Sequence, residues 1–251
     1  LYNRDQVYRR APVHPAGDRC DWFALGEAPL REVIRAIDPG AAESERPIRF
    51  SHAPCPARLY LLQRVLVRAL NRAHPDPMEV EETALLIVAT AIRAAYGARG
   101  AAPGHGARRE TTRAHRAAVD DVRGAMLARI DGVFTLDDAA GVAHLSPYHL
   151  SRVFRRVTGQ TLSRCRTDLR LRVALERVTE GDADLTSAAL DAGFSSHSHL
   201  TNRFRERFGV APSAIRRDDL PALLREIRKS VQAEGRGPRR SSGRRGRRSA
   251  A

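Results

Sequence analysis

The sequence predicts a mainly α-helical protein in which one two-helix unit occurs twice. Two observations carry that expectation. Ser146-Pro147-Tyr148-His149-Leu150-Ser151-Arg152-Val153-Phe154 runs to Thr158-Gly159, and Ser195-Ser196-His197-Ser198-His199-Leu200-Thr201-Asn202-Arg203-Phe204 runs to Phe208-Gly209. Leu150, Phe154 and Gly159 map onto Leu200, Phe204 and Gly209 at an offset of 50, while Ala140 and Ser146 map onto Ala189 and Ser195 at 49. The second turn therefore carries one extra residue.

The elements follow in order. Residues 1–25 are punctuated by Pro12, Pro15 and Gly17, and Gln6–Arg9 and Cys20–Leu25 read as two strands. Two strands make no stable sheet alone. The chain opens on Leu1, so the expectation is a fragment whose missing front supplies their partners. A helix is expected from about Ala57 to Arg72, with Leu59, Leu62, Leu66 and Leu70 at three- and four-residue steps. His74-Pro75-Asp76-Pro77 breaks it. A second runs from about Met78 to Tyr96, with Val80, Ala84, Ile87, Val88 and Ala91 on one face. The short loop makes an antiparallel pair, suited either to packing on the lost sheet or to dimerisation. Gly97 to about Thr111 reads as a flexible linker.

Val119, Val122, Met126, Leu127 and Ile130 mark the opening helix of a new domain. In the first unit Thr135 caps a helix to about Val142, with Asp137 and Asp138 suited to its N-terminal dipole. His144-Leu145-Ser146 forms the turn, and Pro147 fits the first position of the next helix. There Leu150, Val153, Phe154 and Val157 form an apolar stripe. Tyr148, Ser151, Arg152 and Arg155 fall on the opposite face. In the second unit Thr186 starts a helix to about Ala192, and Gly193 takes the positive φ of a tight turn. Leu200, Phe204 and Phe208 face inward, leaving Ser198, Thr201, Asn202 and Arg205 outward, with His197 beside them. Two short helices, a tight turn and a basic second helix make a helix-turn-helix, and two in series point to DNA.

Charge agrees, with a discount. The chain carries a formal net charge of +14, which favours a polyanionic partner. Seven positive charges lie in the tail, at Arg236, Arg239, Arg240, Arg244, Arg245, Arg247 and Arg248. Residues 111–219 hold 17 arginines against 14 Asp and Glu, a surplus of only three. Beyond Gln232 nothing apolar is available to bury, and disorder is expected. Lys229 is the only lysine, which reads as coding bias rather than function. Cys20, Cys55 and Cys165 have neither metal-ligand nor redox spacing. No apolar run is long enough for a bilayer. A cytoplasmic, nucleoid-associated protein is the expectation, without cofactor, metal or membrane.

Residues about 111–217 resemble the AraC/XylS family of bacterial transcription regulators. The matching residues are Gly193-Phe194-Ser195, Leu200, Phe204, Phe208-Gly209-Val210, Pro212 and Arg216, with Leu169-Arg170-Leu171 and Ala174 in the joining helix. The resemblance implies seven helices, with a long central helix between two helix-turn-helix units. It places the base-reading positions on Tyr148, Ser151 and Arg152, then on His197, Ser198, His199 and Asn202. Phosphate contacts are expected from Arg155, Arg156, Thr201 and Arg205. Cys165 stands where the family usually has Tyr, Arg166 and Arg177 where it has Leu, and Ile215 where an aromatic precedes Arg216. These departures imply weaker packing of the joining helix. Residues 1–25 resemble the end of a cupin-type effector domain.

The expected division is an effector-binding and dimerisation part over 1–97, a linker over 98–111, the DNA-binding domain over 112–219, and a helix end with an Arg-rich tail over 220–251. The expected function is a sequence-specific transcription regulator, not an enzyme. It would read two successive major-groove segments of double-stranded DNA and respond to a small-molecule effector. RNA polymerase and a second copy of the chain are the further expected partners. Two alternatives stand beside it. A DNA-repair alkyl-transferase fused to such a domain needs about four clustered cysteines. A nucleoid-coating protein would use the Arg tail without sequence preference.

Overall fold

The computed structural model describes residues 2–7, 21–50, 52–72, 75–99, 108–181, 184–216 and 219–235. Among these residues every regular element is helical. The expected strands are not formed: residues 2–7 and 21–26 are irregular, and residues 8–20 lie outside the described set. Among the described residues no strand lies beside them to accept their backbone hydrogen bonds. Asn3 instead holds the main chain of Ile48, accepting from its amide and donating to its carbonyl, each at 2.8 Å.

Helices α1 (Glu27–Arg35) and α2 (Pro39–Ala42) were not anticipated. They bury Ile34, Ala41 and Ala42 against Ile92 of α4 (Pro77–Arg99) in a small core. Asp38 caps α2 by accepting from the Ala41 amide at 3.0 Å. α3 (Ala57–Arg72) falls where its leucine spacing puts it. Its surroundings differ from the expectation. Leu59, Leu61, Leu62, Val65, Leu66 and Ala69 are all buried, while Leu70 is exposed. A helix buried over so wide an arc is an interior helix.

What surrounds α3 is the second of the two repeated units. α3 packs on α4, α8 (Leu162–Glu180), α10 (His197–Phe208) and α12 (Leu220–Gly235). One core joins it to Leu171, Leu175, Phe204 and Leu224. The Tyr60 hydroxyl donates to Glu176 of α8, and the Arg172 guanidinium lies 5.0 Å from the Tyr60 ring centroid. The buried Arg68 donates to the Ile215 carbonyl. α12 was read as little more than a helix end, yet Leu220, Leu223, Leu224, Ile227 and Val231 are all buried. Its outer edge is tied to α4 by Arg228–Glu82 at 2.6 Å and Arg225–Glu79 at 3.8 Å.

The first unit has its own core. α5 (Arg108–Ala128) begins within the stretch read as linker, of which residues 100–107 lie outside the described set. Val119, Val122 and Met126 of α5 meet Leu150, Val153 and Phe154 of α7 (Pro147–Thr158). Leu127 points outward instead, and Ile130 lies beyond the helix. α6 (Leu136–Ala143) and α9 (Leu185–Asp191) are the first helices of the two units, and α11 (Pro212–Ile215) follows the second. α8 spans 19 residues, about 28 Å at 1.5 Å per residue. It gives its N-terminal half to one core and its C-terminal half to the other. Cys165 and Ile215, both departures from the usual residues, are 2 % and 0 % exposed, so each serves as an apolar core residue.

Candidate nucleic-acid interface

Each unit is built by local chemistry that holds its second helix by the N-terminus. Thr135 and Asp138 form a reciprocal capping box on α6, the Thr135 hydroxyl accepting from the Asp138 amide at 3.1 Å and the Asp138 carboxylate accepting from the Thr135 amide at 2.8 Å. His144 takes the left-handed conformation, φ 52°, that ends the helix. Ser146 then caps α7 through the His149 amide at 3.3 Å, with Pro147 at the first turn.

The second unit differs in two details. Asp184, not Thr186, caps α9, accepting from the Thr186 and Ser187 amides at 2.6 and 3.0 Å. Ser196 caps α10 through the His199 amide at 3.1 Å. The cap equivalent to Ser146 is thus Ser196, at the same offset as the core residues. Ser195 meets the His199 ring at 3.1 Å instead. The extra residue is taken up before the cap, where Gly193 has φ +77° and Phe194 is buried.

The faces fall as the periodicity requires. Leu150, Val153 and Phe154 are buried on α7, and Leu200, Phe204 and Phe208 on α10. Tyr148, Arg152, Arg155 and Arg156 are exposed, and Ser151 is half-buried, its hydroxyl donating to the Pro147 carbonyl at 2.9 Å. The Arg152 guanidinium lies 5.7 Å from the Tyr148 ring centroid, which orients it along the helix face. On α10, His197, Ser198, His199, Asn202 and Arg205 are exposed, and Thr201 is half-buried. His199 is steadied by an edge-on contact with Phe194, ring centroids 5.3 Å apart. The His197 ring and the Thr201 hydroxyl are 3.4 Å apart. All eleven candidate residues therefore lie on these two helices, and none is taken into a core.

Periodicity missed what anchors α10. Arg207 donates to Asp168 of α8 at 2.9 Å, a tie between residues far apart in sequence. No group of His, Cys, Asp and Glu among the described residues could hold a metal ion. Burial pushes the Cys165 thiol up, the opposite of what an acceptor thiolate needs. No helix among the described residues is long and apolar enough to cross a membrane.

Two capped helix-turn-helix units on one long helix define a DNA-binding protein. A family model described as a helix-turn-helix domain matches residues 139–218. The probable transcription factor PqrA of Proteus vulgaris is 32% identical over 90 residues, 36% of this chain and 73% of that protein. The chain belongs to the AraC/XylS family of helix-turn-helix transcription regulators. The transcriptional regulator GlxA of Rhizobium meliloti is 33% identical over 78 residues, 31% of this chain and 24% of GlxA, so the chain spans about a quarter of that longer relative. The solved AraC-type transcriptional regulator from Chromobacterium violaceum is 26% identical, with a TM-score of 0.39 over 40% of this chain and 90% of that one.

Proposed function

We propose that the chain regulates transcription by placing α7 and α10 in two successive major-groove segments of one DNA site. The supporting observation is the pair of exposed polar faces, each opposed by its own core and each carried by α8. Tyr148, Ser151 and Arg152 read bases in one segment, and His197, Ser198, His199 and Asn202 read them in the other. Arg155, Arg156, Thr201 and Arg205 hold phosphates, fixing the register that base reading needs. The segments lie about one DNA turn apart, roughly 34 Å. A small-molecule effector bound upstream would act through α3, which packs on α8 and α10. RNA polymerase and a second copy of the chain are further partners in this reading.

Footprinting of the full chain on sites selected from random DNA tests it. Two protected segments on one face, spanning about 20 base pairs, are expected. A single short protected segment would sink the two-segment reading. Diffuse protection would favour coating without sequence preference.

A further inference from the structure

The two units do not share a core. Leu162, Cys165 and Leu169 of α8 pack with α5, α6 and α7, while Leu171, Ala174, Leu175 and Val178 pack with α3, α9, α10 and α12. Apolar contacts are non-directional, so the two clusters alone do not specify the angle between the units. At the changeover sit Arg166 and Arg170, one helical turn apart. Both reach the loop of residues 129–135 between α5 and α6. Arg170 donates from Nε to the Ile130 carbonyl at 2.9 Å and from Nη2 to the Gly132 carbonyl at 3.5 Å. Arg166 donates from Nη2 to the Arg129 carbonyl at 3.2 Å and to that of Gly132, and from Nη1 to Phe134 at 3.4 Å. Its guanidinium also lies 5.9 Å from the Phe134 ring centroid.

The second unit closes on the same spot from the other side. A Cβ on Gly193 would stand 2.5 Å from the Ile130 carbonyl oxygen and 2.7 Å from Arg170 Nε. The Ile130 carbonyl is thus where the loop of the first unit, the joining helix and the turn of the second unit meet. Guanidinium forks on fixed carbonyls are directional, and they constrain an angle that apolar packing leaves soft.

We propose that Arg166, Arg170 and Gly193 form, around the Ile130 carbonyl, a joint that fixes the angle between α7 and α10 and so selects the spacing between the two DNA segments. Arg166 and Arg170 are positioning residues, since they act through the recognition helices. The inference rests on the two-segment reading above. One added base pair shifts the second segment by about 3.4 Å and turns it by about 35°. A stiff joint rejects that displacement and a loosened one follows it.

The test holds both half-sites constant, varies the spacer by one and two base pairs either way, and compares the full-length protein with an R166Q/R170Q variant. The unaltered protein should lose at least about tenfold in affinity for one added base pair, a loss of the size a mismatched base pair causes. The variant should bind neighbouring spacers within about threefold of one another and an isolated half-site within about twofold of the unaltered protein. A variant that binds with the same sharp spacer profile overturns the joint and leaves the two-segment reading standing. An unaltered protein with a flat profile and two protected segments overturns the joint alone, whereas one protected segment removes the two-segment reading and the joint together. Should the double variant lose its cooperative melt, Arg166→Gln alone retains the Arg170–Ile130 bond and is read against the same outcomes.

Discussion

The Tyr60 hydroxyl of α3 donates to the Glu176 carboxylate of α8, 116 residues away in the chain. Burial, followed by the neighbouring carboxylate, holds the Tyr60 phenol well above its usual range, so it remains a donor at any ordinary pH. The bond marks a helix upstream of the matched domain that is built into the core of the second unit. Tyr60→Phe should cost about 1–2 kcal/mol in urea denaturation, the usual worth of a hydrogen bond to a charged group when partly exposed. Leu62→Ala, at a fully buried position of the same helix, should cost about 2–5 kcal/mol. Both should weaken the half-site read by α10 more than that read by α7. Equal weakening of the two half-sites would show that α3 supports the units alike.

For the same reason residues 108–251 should not behave as a self-sufficient domain. Removing α3 uncovers Leu171, Leu175 and Leu224, which share its core. The fragment should melt below the full-length protein, and its footprint should shrink toward the α7 half-site. A fragment with the melting temperature and two-segment footprint of the full-length protein would contradict this.

The proposed base reading would separate the two units chemically. Arg152 and Asn202 occupy equivalent places on α7 and α10, at the offset of their core residues, and both are exposed. Arginine presents two parallel donors that match O6 and N7 of guanine, whereas asparagine pairs one donor and one acceptor with N7 and N6 of adenine. Arg152→Ala should relax one guanine position and Asn202→Ala one adenine position in the other half-site, each by about 1–3 kcal/mol of discrimination. Selection from randomised sites checks this. An unchanged consensus with uniformly weaker binding would assign Arg152 to a phosphate.

The caps predict an acid limit. Asp138 is held below the ordinary carboxylate range chiefly by the Thr135 amide, and Asp184 chiefly by the Ser187 amide. A carboxyl with a depressed folded-state pKa adds stability that is present above its unfolded value, about 3.9. That stability is lost as pH falls through the folded value. The melting temperature should therefore hold from neutrality to about pH 5 and fall below about pH 4. Asp184→Ala should lower it at pH 7 and flatten the acid limb. A variant with the full acid dependence would trace the limb to other carboxylates.

Much of the geometry of the candidate surface was legible because its signals are local. The cap at Thr135, the proline after Ser146, the positive φ of Gly193 and the stripe from Leu150 to Phe154 each act within a few residues. Their faces follow from the 3.6-residue period. What escaped was decided by distant partners. The leucine spacing of α3 gave a helix but not its neighbours, so Leu70 was read inward and Leu61 was overlooked. α1 and α2 are short, and Pro29 in the first turn of α1 and Pro39 at the start of α2 stand where a proline also reads as a breaker. Arg166, read as a poor fit for the joining helix, instead donates from both Nη atoms to loop carbonyls that no periodicity announces.

Glycine substitutions can weigh the meeting of the two units against backbone strain alone. Gly159 and Gly193 both adopt left-handed conformations, φ +74° and +77°. A Cβ on Gly159 meets nothing within 4 Å, whereas one on Gly193 would collide with the Ile130 carbonyl and Arg170. Gly159→Ala should therefore cost only the backbone penalty, about 1–2 kcal/mol. Gly193→Ala carries the same penalty and must also push the second unit's turn off the loop of the first. Its loss in denaturation should exceed that of Gly159→Ala by at least about 1 kcal/mol, because backbone and a bonded guanidinium cannot yield as a free side chain end can. The excess should shrink when Gly193→Ala is made in an Arg170→Ala background, where one of the two colliding groups is gone. Equal costs for the two glycines would place the contact at Gly193 outside the balance that holds the units together.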